Sequence, residues 1–93
     1  MNILLLNKRY GYETVIPFPL VSPLRMWEET ALVFNGGKKN YSLWQSDFED
    51  IDMILPNNTK LVLTNFKNVK ELYDYIAPIL NNEENKFVIE NFL

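Results

Sequence analysis

The sequence has no cysteine and no histidine among its 93 residues. The chain therefore cannot form a disulfide, a zinc site with sulfur or nitrogen ligands, or a Ser-His-Asp or Cys-His catalytic arrangement. An enzyme built from it would depend on carboxylates, lysine, tyrosine or serine, and a domain this small leaves little room for a catalytic pocket. We therefore expect a non-enzymatic protein with no cofactor and no metal.

Long hydrophobic segments are also missing. The first apolar run, 3–6, is only four residues long and precedes Lys8 and Arg9, which is the reverse of the order in a signal peptide. No run approaches the ~18 residues that a membrane span requires. Together with the absence of cysteine, which is typical of a reducing compartment, this pattern predicts a cytoplasmic protein with no membrane partner.

The composition is that of a folded domain, with 47% hydrophobic and 23% charged residues. A chain of 93 residues fits one domain, so we predict a single α+β domain over residues 1–93. Asparagine occurs 12 times, alongside many lysine, isoleucine, phenylalanine and tyrosine residues. Such a mixture follows AT-rich coding and favours an origin in a low-GC bacterium, a phage or a mobile element.

Turn residues between apolar runs indicate where the strands lie. Asn35-Gly36 separates two β-rich segments and predicts a β-hairpin near 30–44, because asparagine and glycine tolerate the positive φ angles of tight turns. Further short apolar runs bounded by turn residues predict strands at 3–6, 61–64 and 87–89.

Two segments have the features of helices. Ser46 and Glu49 match a capping box, which predicts a helix at about 47–55. Asn68 precedes apolar residues at helical spacing and predicts a second helix at about 68–78.

Proline positions complete the predicted fold. Pro78 should kink or end the second helix, and Ser22-Pro23 predicts the start of a short additional helix. We expect one mixed β-sheet of about five strands with the two main helices on one face. The segment 61–89 would form a β-α-β unit if its two strands are parallel.

Acidic residues are concentrated in the second half of the chain. Residues 1–46 carry five basic and three acidic side chains, whereas residues 47–93 carry four lysines and nine acids. The densest cluster is Asp47, Glu49, Asp50 and Asp52. Acids in a first helical turn also favour the helix dipole, so a purely structural role is an alternative. The functional interpretation is an acidic face that binds a basic groove of a larger partner, such as a nucleic-acid-handling enzyme.

Trp27 and Trp44 are candidates for the same interface, because tryptophan is enriched among residues that dominate binding energy. The leading hypothesis is therefore a small inhibitor or regulator that acts by protein binding. Its predicted partner-binding residues are Asp47, Glu49, Asp50, Asp52, Trp27 and Trp44.

Direct nucleic-acid binding is the first alternative, with Tyr10 or Tyr12 stacking on bases. It would use the basic residues of segment 8–39 along one sheet edge: Lys8, Arg9, Arg25, Lys38 and Lys39. The overall net charge of -3 speaks against it, since nucleic-acid-binding domains usually carry a strongly positive patch.

A carboxylate-based, metal-dependent enzyme is the second alternative. Glu84 and Lys86 have the E-x-K spacing of some nuclease strands, and Asp74 would supply a partner carboxylate. A motif this short has a high false-positive rate, so we give this alternative the least weight.

Overall fold

The computed structural model describes residues 2–81, which form two antiparallel sheets and one α-helix. The elements, in chain order, are β1 (Asn2–Asn7), β2 (Tyr12–Pro17), β3 (Ser22–Trp27), β4 (Ala31–Asn35), β5 (Asn40–Trp44), a 3-10 turn (Gln45–Asp47), β6 (Ile51–Ile54), β7 (Lys60–Val62), a second 3-10 turn (Leu63–Asn65) and α1 (Val69–Leu80). The α+β class is as predicted.

The four-stranded sheet has the order β2-β1-β6-β7. Strand β1 lies inside it, which agrees with the strand predicted at 3–6. Ile3 and Leu5 are buried on the inner face, whereas Leu4 and Leu6 are only half-buried on the outer face. The run is apolar on both faces because β1 is flanked by neighbours on both edges and its outer face is partly covered.

The three-stranded sheet has the order β3-β4-β5. The predicted hairpin near 30–44 is confirmed, with Asn35 opposite Asn40 at its last pair. Gly37 has a φ of 98°, and its N–H donates to Asn35 Oδ1 at 2.8 Å. Only glycine adopts such a φ readily, so Gly37 allows the chain to reverse here.

The hydrophobic core lies among the inner faces of the two sheets and α1, which packs on β3 and β4. Its largest fully buried side chains come from both sheets, the second 3-10 turn and the helix: Ile3, Ile16, Leu24, Leu32, Phe34, Leu43, Met53, Leu63, Leu72 and Ile76. One cluster therefore unites all the elements, as the size of the chain requires.

The helix predicted at 68–78 is confirmed as α1. Asn68 is its N-cap, and its Oδ1 accepts from the Glu71 N–H at 2.9 Å. Pro78 does not end the helix, which continues to Leu80. At the other end, the side-chain amide of Asn81 bonds both backbone groups of Leu24, which joins the helix end to β3. No helix within residues 2–81 has the length and apolar character to cross a membrane.

The helix predicted at 47–55 is wrong. The Ser46 side chain makes no capping bond, and the N–H groups of Phe48 and Asp50 bond carbonyls three residues back, as in successive tight turns. The following residues form β6, which pairs with β1 on one side and β7 on the other. A four-residue segment gains more from two ladders than from a single helical turn, and isoleucine is a good strand former.

The single mixed sheet is also wrong, since every strand pair within residues 2–81 is antiparallel. The short helix predicted at Ser22-Pro23 is instead β3, an edge strand that tolerates a proline. Of the predicted β-α-β unit, β7 and α1 are present, but the strand predicted at 87–89 lies outside the described residues.

The cap of α1 provides a test of the fold. Asn68→Ala should lower the free energy of unfolding by about 1 kcal/mol, because one N–H of the first turn loses its partner. Urea denaturation measures this change, with the exposed neighbour Lys67→Ala as the control that should alter stability by less than about 0.5 kcal/mol. Equal effects of the two substitutions would contradict the cap.

Candidate partner-binding face

The pairing register places three residues side by side across the three-stranded sheet. Trp27 is opposite Ala31, and Ala31 is opposite Trp44. Directly opposed residues project from the same face of a sheet, so the two indoles stand on either side of Ala31. Trp27 is 56% exposed and Trp44 is 45% exposed, so this is the solvent-facing side. Ala31 is nevertheless fully buried, which means that neighbouring side chains lean over it.

The inner face of β4 explains why the tryptophans point outward. Leu32 and Phe34 are fully buried in the core. Because successive side chains alternate between faces, Ala31 and Val33 must project away from it, together with the residues opposite them. The exposure of the tryptophans is thus a consequence of core packing in the strand between them.

A groove of about 460 Å³ runs along this outer face. Its lining combines apolar and polar side chains, among them Arg25, Trp27, Val33, Asn40, Ser42 and Trp44. We call this surface the tryptophan face. It is a concave surface of apolar walls and a few polar groups, which is the composition typical of binding sites.

A second depression of about 430 Å³ lies at the end of the same face, beside the β3–β4 turn. Both indoles line it, together with Glu28, Glu29 and Gln45. We call it the acidic cleft. The two tryptophans therefore border both depressions, and carboxylates border only one.

The turn that carries these carboxylates has an unusual backbone. Glu28 has a φ of 48° and Glu29 a φ of 58°, both in the left-handed region. The turn is closed by the Thr30 N–H, which donates to the Trp27 carbonyl at 2.8 Å. Tight turns with two positive φ angles normally use asparagine and glycine, since other residues lose roughly 1 kcal/mol or more at each such position. Two glutamates thus occupy positions that they disfavour.

Gln45 connects the acidic cleft to the rest of the protein. Its N–H donates to the Thr30 carbonyl at 2.9 Å, and its Oε1 accepts from the Val69 N–H at 2.9 Å. Gln45, which lines the cleft, is therefore hydrogen-bonded to the β3–β4 turn on one side and to the start of α1 on the other. Bonds of this kind hold a binding surface in one conformation before a partner arrives.

The four predicted acidic residues do not form one face. Asp47 is half-buried in the 3-10 turn that follows Trp44, and Glu49 is exposed two residues later. Asp50 lies 3.8 Å from the Arg9 guanidinium. Asp52 is buried in β6. The acidic face expected for this segment does not exist as predicted because the helix at 47–55 does not form.

Asp52 is neutralised by two lysines of the four-stranded sheet. Lys8 Nζ lies 3.2 Å from Oδ1, and Lys60 Nζ lies 3.3 Å from Oδ2. The Lys8 contact is an ion pair without an aligned hydrogen bond, since Oδ1 has no hydrogen-bond partner. Burial acts to raise the pKa of Asp52, but the two ammonium groups outweigh it and hold the pKa below its ordinary value. This carboxylate stabilises the fold from a position that a partner does not reach.

The basic residues of segment 8–39 are divided between the sheets. Lys8 and Arg9 follow β1 in the four-stranded sheet, where they face Asp52 and Asp50. Arg25 lies on the tryptophan face, and Lys38 and Lys39 lie in the β4–β5 turn. They do not share one sheet edge.

Tyr10 and Tyr12 are exposed beside the β1–β2 turn, and their rings stack at 6.4 Å between centroids. The Arg9 guanidinium lies 5.3 Å above the Tyr10 ring. This aromatic pair belongs to the four-stranded sheet, whereas both tryptophans belong to the other one.

Of the residues suggested for a metal-dependent enzyme, Asp74 forms a surface ion pair with Lys70 at 3.0 Å. Glu84 and Lys86 lie outside the described residues. Within residues 2–81, no group of three or more acidic side chains is arranged to hold a metal ion.

Comparison with protein-family models, with curated proteins and with solved structures finds no match to this chain. The function of the site is therefore argued from its own residues.

Glu28 and Glu29 were not among the predicted site residues. Trp27-Glu28-Glu29-Thr30 joins two strands without a glycine, an asparagine or a proline, so no turn signal draws attention to it. Recognising β3 as a strand would have revealed the turn, and with it the two carboxylates beside Trp27.

The buried ion pairs of Asp52 predict a pH-dependent stability. A lowered carboxyl pKa contributes stability above the ordinary value of 3.8, and this contribution is lost as the pH falls through the lowered pKa. Asp52→Asn should reduce the free energy of unfolding by about 1–2 kcal/mol at pH 6, and the difference from the unsubstituted protein should shrink towards pH 3. Urea denaturation at several pH values measures it.

Asp74→Asn is the control, because its ion pair with Lys70 is exposed and should contribute less than about 0.5 kcal/mol. A constant difference between Asp52→Asn and the unsubstituted protein across this pH range would contradict the assigned role of Asp52.

The β3–β4 turn predicts a stabilising substitution. Glu28→Asn combined with Glu29→Gly should raise the free energy of unfolding by about 1 kcal/mol, because both residues suit left-handed φ angles. The matched control is Glu28→Gln with Glu29→Gln, which removes the same charges and keeps the strain. If the control stabilises the protein equally, charge repulsion rather than backbone strain explains the gain.

Proposed function

We propose that this protein is a non-enzymatic binding module, an inhibitor or regulator that occludes a larger protein through its tryptophan face. The single observation that carries the proposal is the exposure of Trp27 and Trp44 side by side on one face of the β3-β4-β5 sheet. Tryptophan is among the residues that most often dominate the energy of protein interfaces.

Two neighbouring exposed tryptophans indicate an interface more strongly than a single exposed ring does. Exposed apolar residues scattered singly are normal on a protein surface, whereas neighbouring large ones mark a surface that another molecule covers. The two tryptophans lie on strands that pair with β4, and the Gln45 side chain next to Trp44 is hydrogen-bonded to the start of α1. The backbone beneath the tryptophans therefore loses little conformational freedom on binding. A rigid aromatic surface of this kind favours affinity.

The charges beside the tryptophans favour a basic partner. Glu28 and Glu29 border the acidic cleft, and Asp47 follows Trp44 in the adjoining 3-10 turn. Asp50 and Asp52, in contrast, are paired with basic residues of the same chain. The proposed interface therefore keeps Trp27, Trp44, Asp47 and the exposed Glu49 from the predicted set and adds Glu28 and Glu29.

A basic groove that neutralises a phosphate backbone on a partner protein would attract an acidic surface of this kind. We accordingly propose a cytoplasmic partner that handles nucleic acid, and an origin of this protein in a phage, a mobile element or a low-GC bacterium. Association should be faster at low salt, since exposed charges steer the encounter.

Direct binding of single-stranded nucleic acid is the second candidate function. Arg25 lines the groove of the tryptophan face together with both indoles, and aromatic rings near a cation form a stacking platform for bases. Glu28 and Glu29 oppose this function by repelling the phosphate backbone. A gel-shift experiment at low salt with an oligonucleotide of about ten nucleotides, a length within the range that such platforms cover, tests it.

Capture of a partner from cells tests the leading proposal. The partner should bind the unsubstituted protein, and Trp27→Ala with Trp44→Ala should weaken binding to the purified partner by roughly 30-fold or more. Tyr10→Ala with Tyr12→Ala is the matched control, because it removes two exposed aromatic rings from the other sheet. A partner whose affinity responds equally to both pairs, or to neither, would contradict the proposed face.

A further inference from the structure

We propose that the acidic cleft takes up one arginine side chain from a partner protein, with the guanidinium against the indoles of Trp27 and Trp44 and paired with Glu28 or Glu29. This inference deepens the proposed function and rests on it. It names the chemistry that the partner presents to one end of the tryptophan face.

The walls of the cleft are suited to a cation. Both indoles line it, and an indole face attracts a guanidinium more strongly than the rings of tyrosine or phenylalanine do. The two tryptophans are separated by one strand, which places their backbones roughly 9–10 Å apart. This spacing leaves room for a planar group beside either ring, while the small side chain of Ala31 lies buried below.

The charge of the cleft is not balanced from within. Its lining contains two carboxylates and no basic residue. Among the ion pairs of residues 2–81, none involves Glu28 or Glu29. Glu29 interacts with Lys70, but the ammonium group of Lys70 is held by Asp74 at 3.0 Å. Asp74 raises the pKa of Lys70, and Glu29 adds only a minor attraction. A cation from a partner would supply the positive charge that the lining of the cleft lacks.

Arginine fits this cleft better than lysine. Its planar guanidinium can stack on an indole while its N–H groups bond a carboxylate in pairs, whereas an ammonium group is a hydrated point charge. Glu28 and Glu29 are also held by a closed turn, so their backbones need not be ordered when the ligand binds. Carboxylates on an ordered turn beside aromatic walls favour a ligand that uses both at once.

The two tryptophans make the test direct, because the chain contains no others. The probe is an octapeptide with one arginine between neutral polar residues, followed by intrinsic fluorescence and by the two indole N–H resonances in NMR spectra. Parallel titrations use the same peptide with citrulline, a neutral analogue of arginine, and with lysine. We expect saturable shifts of both indole resonances with arginine, binding several-fold weaker with lysine, and at least tenfold weaker binding with citrulline.

Substitutions then locate the charge that is recognised. Glu28→Gln and Glu29→Gln together should weaken binding of the arginine peptide about tenfold, since one charge-assisted pair contributes about 1.4 kcal/mol or more. The control Glu13→Gln removes an exposed charge from the other sheet and should change the affinity less than twofold. Circular dichroism spectra establish that each variant is folded.

Each result of the titration bears on the inference. Equal binding of the citrulline and arginine peptides, unmoved indole resonances, or equal losses from the Gln substitutions at 28, 29 and 13 would overturn it. Preferential binding of an eight-residue oligothymidine with the same resonance shifts would overturn it as well. If the arginine peptide fails while capture of the partner still depends on Trp27 and Trp44, only this inference falls and the proposed function stands.

Discussion

The pairing register of β4 determines both the core side and the exposed side of the three-stranded sheet. Leu32 and Phe34 fill the core from the middle strand of the three-stranded sheet, where α1 packs on β3 and β4. With those two residues inside, alternation sends Ala31 outward, and pairing on both sides of it aligns Trp27 and Trp44. A slip of one residue in β4 would expose Leu32 and Phe34 and turn Ala31 and Val33 towards the core. The same packing that stabilises the fold therefore builds the surface that we propose for binding.

The acidic residues divide into two groups with different physical roles. Asp52 and Asp50 are held by lysine and arginine side chains of the four-stranded sheet, so their charge contributes to stability. Glu28 and Glu29 form no ion pair among residues 2–81, where Glu29 adds only a minor attraction to Lys70, and both occupy a backbone conformation that costs energy. Strained residues beside exposed aromatic rings are a pattern found at functional sites, where stability is given up for recognition. Asp50 and Asp52 are thus paired within the four-stranded sheet, whereas Glu28 and Glu29 form no ion pair beside the exposed tryptophans.

The β4–β5 hairpin and α1 could be predicted from the sequence. The Asn35-Gly36 turn and the helical spacing of apolar residues in α1 both depend on residues that are close in sequence. The segment 47–55 was predicted to be a helix because Ser46 and Glu49 match a capping box, but pairing with β1 and β7 makes Ile51–Ile54 a strand. Trp27 and Trp44 were singled out by residue type, but their alignment depends on the pairing of each with Ala31 and could not be derived from spacing.

Side-chain NMR of the region around Ala31 tests whether the two tryptophans are aligned on an exposed face. We expect nuclear Overhauser contacts from the Ala31 methyl group to the indole protons of both Trp27 and Trp44, with both indoles broadened by a soluble paramagnetic agent while the methyl group is protected. Contacts from Ala31 to only one tryptophan, or protection of either indole from the agent, would contradict the alignment of the two tryptophans on an exposed face.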